Sequence, residues 1–280
     1  NGAGSGPVSA EWLIPKALWL KRHERALYDR AATLCEYQDF MVRRLTGRNV
    51  ASLNNVSIRW HYRNGDGGWP DSLLAAIDLE DVRAKWPAEI AAPGEIIGPL
   101  CAAAADHLGL DASTLVVQGG IDAFIGMIGL GVAHAGQLAL ITGSSHLQLA
   151  VTDRPIAVPG LWGSYADAVY PGHHILEGGQ SATGSMIAWA RRLLGASADL
   201  AQLDSEAALL PPGSEGLVVQ DHFKGNRTPY TDAGSRGALV GLSLSHGRAH
   251  VFRAMIESIC FGTRSILDTM TQAGVNVDEI

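Results

Sequence analysis

Asp122 is the residue whose surroundings best suit chemistry. It follows Gly119-Gly120-Ile121 and precedes an apolar run from Ala123 to Leu130. Just ahead, Leu115-Val116-Val117 reads as a continuous apolar strand, of the kind covered on both faces of a sheet. Open α/β sheets bind ligands beyond the carboxyl ends of their strands. Two glycines there allow close backbone approach. A carboxylate at that point can orient a hydroxyl and accept its proton as the oxygen attacks phosphorus. The same position also suits a helix cap, with the carboxylate accepting the free amides of the helix that starts at Ala123. The residues alone leave both roles open.

Two small-residue turns could hold an anion. Gly143-Ser144-Ser145 joins two apolar strands, and consecutive exposed amides in such a turn form a nest for phosphate. A tight hairpin has the same composition. Gly178-Gly179-Gln180-Ser181 leads toward a helix, whose free amides and dipole would suit an anion at Gly179. Ser181 as an ordinary N-cap explains that segment equally well. Neither a P-loop nor a dinucleotide glycine pattern occurs in the required context. His173-His174 with Glu177 lacks the further ligands that zinc requires. Ser144 and Ser145 beside His146 do not make a nucleophile pair, because neighbours on a strand point apart. No direct protein metal ligand is expected. Trp60, His61, Tyr62 and Trp69 could present ring faces and hydrogen bonds to a sugar, or simply anchor a loop. Glu11 and Trp12 could do similar work.

The elements that must position these residues alternate between helices and strands, which means an α/β protein in two lobes. Helical patterns cover residues 11–34, Glu36 to Leu45 with Gly47 at the stop, Ser72 to Ile77, and Cys101 to Leu108 with Gly109 beyond. Asn54 to Asp71 reads as a structured loop. Leu138 to Thr142 and His146 to Thr152 read as a hairpin. Trp162 to Val169, Gly216 to Gln220 and Gly241 to Ser245 read as strands. Ser181 to Leu194, residues 199–209, and His250 to Met270 read as helices. A boundary near residues 132–137 divides the chain into 1–134 and 135–280.

The 280 residues carry 21 Lys and Arg against 28 Asp and Glu, a net charge of -7 that argues against a nucleic-acid surface. Three dispersed cysteines, Cys35, Cys101 and Cys260, suit a reducing, cytoplasmic compartment. No stretch approaches the roughly 20 apolar residues of a membrane span, and no leader signal is apparent. The start at Asn1, without Met, and the stop at Ile280 read as cuts from a larger protein.

Taken together, the motifs resemble the FGGY family of carbohydrate kinases. The most specific stretch is Gly237-Ala238-Leu239-Val240-Gly241-Leu242, followed by His250-Val251 and Ala254-Met255-Ile256-Glu257, which is similar to the family's C-terminal signature. Gly119 to Ala123, with Gly126 and Gly129, resembles the segment that carries the catalytic Asp. Leu45-Thr46-Gly47 resembles a family helix ending, and Thr142 to Ser145 its second phosphate-binding hairpin. Trp12 to Lys21, Ser52 to Tyr62, Glu177 to Ser185 and Gly225 to Pro229 look most like ribulokinase-like members. The resemblance implies two actin-like, ribonuclease-H-like lobes, incomplete here at both ends, with ATP and sugar in the cleft between them. Residues 1–134 would be the later part of the sugar-side lobe and 135–280 the earlier part of the nucleotide-side lobe. It implies Asp122 as the base and Gly143, Ser144 and Ser145 as phosphate contacts; Gly179, from its turn ahead of a helix, is a weaker candidate. Glu11, judged from its spacing to Lys16 and Trp19, falls near a substrate-contacting position of glycerol kinases, and Trp12, Trp60 and His61 join it near the sugar on their residue types. ATP and Mg2+ follow as reaction partners. The expected reaction is phosphorylation of a pentulose hydroxyl, ribulose first, with xylulose, glycerol or erythritol as alternatives. A sugar- or nucleotide-binding protein without catalysis is the non-enzymatic alternative. A homodimer is compatible with these features. The family's N-terminal Asp-x-Gly-Thr loop and its C-terminal adenine-binding Gly-Gly segment are absent from these residues.

Overall fold

Leu13, Ile14 and Ala17 form one buried face of the helix α1 (Leu13–His23), whose last turn carries Lys21, Arg22 and His23 where the helix dipole favours cations. The computed structural model describes residues 8–65, 68–195 and 200–280. The opening residues Asn1 to Gly6, and the first residue of the helix expected over 199–209, lie outside them.

Two units divide the chain. The first comprises residues 1–134, 151–156 and 163–175; the second comprises 135–150, 157–162 and 176–280. In the first, α1 is followed by α2 (Arg25–Arg30), α3 (Tyr37–Thr46), β1 (Val50–Ser52), α4 (Leu53–Arg59), α5 (Asp71–Ala76), β2 (Glu89–Ala91), β3 (Ile96–Pro99), α6 (Ala102–Leu108), β4 (Leu115–Val117) and α7 (Asp122–Leu130). Gly47 ends α3 in the left-handed region, at φ 78°, a conformation that costs glycine nothing. The core gathers Leu13, Ile14, Tyr28, Val56, Leu74, Leu79 and Val82 around the rings of Trp60 and Trp86. Trp60 and Trp86 lie 5.0 Å apart, Trp69 and Trp86 4.7 Å apart. The Arg83 guanidinium lies over the Trp69 ring at 4.4 Å.

Two expectations fail in this unit. Residues 53–59 are helical rather than loop, and Leu53 to Ile58 are all buried, which the Asn-rich composition conceals. The strand Leu115–Val117 is not covered on both faces. It pairs antiparallel with β3, and Leu115 and Val117 are exposed. Apolar content alone does not reveal how many neighbours a strand acquires.

The second unit contains β5 (Leu138–Thr142), most of β6 (His146–Thr152), Trp162 at the start of β7 (Trp162–Ala166), most of β8 (His174–Gln180), α8 (Gly184–Leu193), α9 (Leu200–Ala208), β9 (Val218–Gln220), β10 (Ala238–Val240) and α10 (Arg248–Gln272). The hairpin expected between β5 and β6 is present, in register from Leu138 opposite Ala150 to Thr142 opposite His146. In this unit β6 lies between β5 and β8. Met186 and Ala190 of α8, Leu203 of α9, Val219 of β9 and Phe252 and Met255 of α10 share one core. Three differences from the expected elements stand out. Strand β8 occupies Gly178 and Gly179, helix α8 starts at Gly184 with Thr183 as its N-cap, and the strand expected over 241–245 lies instead at Ala238–Val240. No helix among the described residues is long and apolar enough to cross a membrane.

Candidate functional site

Asp122 is exposed and stands as the first residue of α7, after Ile121 as N-cap. Its Oδ1 accepts the Ala123 amide at 2.8 Å. One carboxylate oxygen thus satisfies a free first-turn amide while the group remains open to a ligand. The two roles left open by the sequence are compatible on one side chain.

The segment before Asp122 is held by buried polar groups. Asn54 of α4 is fully buried. Its Oδ1 accepts the Ile121 amide at 2.9 Å, and its Nδ2 donates to the Ala168 carbonyl at 2.8 Å. Ser52 Oγ donates to the Gly119 carbonyl at 2.6 Å. Gln118 is buried, accepts from Gln38 Nε2, and takes the Gly119 amide on its Oε1 at 3.2 Å. Gly120 leaves no room for a methyl group, since a Cβ there would lie 2.6 Å from Asn54 Oδ1. Ser52 is tied in turn to Asp39 of α3, whose Oδ1 accepts the Ser52 amide at 2.9 Å. Burial pushes the Asp39 carboxyl up to about 7. Sequence reading missed this brace. The pair Asn54-Asn55 was its signal, but asparagines read as turn formers unless burial is known.

Of the expected sugar-side residues, Glu11 is exposed, and its carbonyl accepts from the Arg59 guanidinium. Arg59 also pairs with Glu36 at 3.1 Å. Trp12 is buried, edge-on to His61 with ring centroids 4.9 Å apart. Trp60 corrects the expectation of a sugar-facing ring. It has no exposed surface, packs against Trp69 and Trp86, and donates Nε1–H to Glu36 Oε1 at 3.0 Å. A ring enclosed on all sides has no face to offer a ligand. Trp60→Phe is expected to lower unfolding stability by about 2 kcal/mol, through lost volume and the lost hydrogen bond to Glu36. Denaturant unfolding checks this; an unchanged midpoint would contradict the packing role.

Burial lowers the His61 imidazole from its ordinary 6.5 to about 4. The unfolded chain therefore binds the proton more readily than the folded one between those values. The stability contributed is complete above about pH 6.5 and is lost as pH falls toward 4. Wild type should lose stability relative to His61→Gln across that window, as read by unfolding at several pH values. A difference that does not vary with pH would refute the assignment.

In the second unit, Gly143, Ser144 and Ser145 form the exposed turn between β5 and β6. Gly143 O accepts the Gly184 amide, and Ser144 O accepts those of Thr183 and Ser185, all at 3.1 Å. Thr183 Oγ1 adds a bond to Gly143 O at 3.2 Å. The first amides of α8 therefore clamp the turn from behind. Gly184 allows the approach, since a Cβ there would sit 2.4 Å from Gly143 O. Gly179 is elsewhere. It is buried within β8, donates its amide to Thr228 Oγ1 at 3.2 Å, and abuts Arg227. The expected phosphate contact at Gly179 is corrected accordingly, because its N–H is already used and faces protein. Glu177 is also buried, paired with Arg227, whose guanidinium lies 4.7 Å from the centre of the Trp162 ring. No group of three His, Cys, Asp or Glu residues suited to a metal occurs among the described residues.

Two adjoining lengths of chain, each with its own core, match one class of protein. Residues 9–129 match the N-terminal domain of the FGGY family of carbohydrate kinases, and residues 138–280 match its C-terminal domain. The chain belongs to that family. It is 32% identical over 292 residues to a ribulokinase of Shouchella clausii, covering 98% of this chain and 51% of the relative. It is 34% identical over 313 residues to an FGGY carbohydrate kinase domain-containing protein of Danio rerio, covering 97% and 57%. Its fold superimposes on a ligand-bound xylulose kinase of Lactobacillus acidophilus with a TM-score of 0.83 at 26% identity, covering 94% of this chain and 53% of that one. The chain spans about half the length of the curated relatives it matches.

Proposed function

We propose that this chain supplies the base and a phosphate-binding turn of an ATP-dependent kinase acting on a primary hydroxyl of a pentulose, with ribulose the first candidate. The observation that carries the reading is Asp122, an exposed carboxylate on a helix start fixed by buried polar groups. The likeness to ribulokinases favours ribulose. The likeness to a xylulose kinase keeps that ketose as the second reading.

In this reading Asp122 orients the sugar hydroxyl and takes its proton as the oxygen bonds to the γ-phosphorus. The bond from that phosphorus to the β,γ-bridging oxygen breaks, and ADP leaves. Gly143, Ser144 and Ser145 offer an exposed turn of amides and hydroxyls to the phosphates. Magnesium would arrive on ATP and offset phosphate charge. Glu11 contributes an exposed carboxylate for sugar hydroxyls. Residues 1–134 would act on the sugar side and 135–280 on the nucleotide side. The test is a substrate panel of ribulose, xylulose, glycerol and erythritol with the full-length protein and coupled ADP detection. Turnover with none of them, in protein that binds ATP, would favour a binding protein instead.

A further inference from the structure

We propose that Asn54 is the positioning residue for Asp122, and that it acts through one amide group that ties the segment leading into Asp122, at Ile121, to Ala168. The proposal rests on the reading of Asp122 as base. The Asn54 side chain is fully buried and makes two hydrogen bonds of opposite sense. Its carbonyl oxygen takes the N–H of Ile121, the residue that caps α7 and precedes Asp122. Its NH2 group donates to Ala168 O. The orientation of the amide follows from these partners, because a backbone N–H can only donate and a carbonyl can only accept.

The fit against Gly120 is tight as well. The position of a Cβ on Gly120 would be 2.6 Å from Asn54 Oδ1 and 2.8 Å from its Cβ and Cγ. Gly120 has no left-handed backbone to explain its glycine, so the close approach of Asn54 explains it. Asn54 thus sets where the backbone turns into α7, and with it where the carboxylate begins. A shift of about 1 Å in a reacting group can cost on the order of 100-fold in rate.

Three variants of the full-length protein test this, with kcat measured per folded molecule. Asn54→Leu keeps approximate volume and removes both hydrogen bonds. It should lose at least about 10-fold in kcat with little change in the KM for ATP. Asn54→Asp is the sharper probe. Protonated, the introduced carboxyl has the same acceptor and donor as the amide. Ionised, it loses the donor and confronts Ala168 O with a charge. Burial raises its pKa, so the ratio of variant to wild-type kcat should be near one at low pH and fall as pH rises. A packing role alone would not produce that inflection. A ratio that does not fall with pH overturns the proposal, as does full kcat in Asn54→Leu. If Asn54→Leu fails to fold, the pH ratio of Asn54→Asp still decides. Asp122→Asn separates the two levels. Retained turnover there removes the base itself, whereas lost turnover there with a flat ratio removes only the role of Asn54.

Discussion

Asp122→Asn in the full-length protein is expected to lower kcat by about 1,000-fold, within the range for loss of a general base. The amide keeps a carbonyl oxygen that can still accept the Ala123 amide, so the first turn of α7 remains satisfied. What it loses is the capacity to take a proton, together with the negative charge that aligns a hydroxyl. Asp122 is exposed and its side chain packs into no core, so the fold and unfolding midpoint should be close to wild type. The KM values should change far less than kcat, the pattern of an interaction made chiefly in the transition state. Coupled ADP release with ribulose checks the rate, and circular dichroism checks the fold. Turnover within about 10-fold of wild type would exclude a base contribution of the usual size.

The second large effect is expected at Gly184. In Gly184→Ala the new methyl would lie 2.4 Å from Gly143 O and 3.2 Å from Gly143 C. The obstacle is backbone and cannot swing aside as a long side chain could. The helix start and the β5–β6 turn must separate, which disrupts the three bonds from the Thr183, Gly184 and Ser185 amides to the Gly143 and Ser144 carbonyls. If the turn holds ATP phosphates, kcat/KM for ATP should fall by about 100-fold, comparable to losing one preorganised donor. The sugar KM should be nearly unaffected. Unaltered ATP kinetics in a folded variant would remove the turn from the nucleotide site.

Both predictions depend on contacts of unequal visibility in the sequence. Asp122 stood out because two glycines and an apolar helix flank it, and those are local features. The hairpin at Gly143–Ser145 is equally legible, since two apolar strands joined by a few small residues have few other solutions. Gly184 was not. Its role depends on a carbonyl some forty positions earlier in the chain, and a helical pattern beginning at Ser181 hid where the strand ends and the helix starts. Gly178 and Gly179 read as a turn ahead of a helix, but burial and the Thr228 hydroxyl hold Gly179 in β8.

The aromatic and asparagine positions show the same division. Composition around residues 54–71 announced large rings and polar groups without saying which face inward. Folding placed Trp60 wholly inside and made Asn54 a buried strut for the segment that leads into Asp122. Local chemistry, in the form of turn residues, helix stops and apolar period, decided many of the elements, though not α4, and set Asp122 at a helix start. Long-range packing decided which side chains lost water. That choice separates ligand contacts from core, because a polar group taken out of water must find a partner wherever the chain brings one.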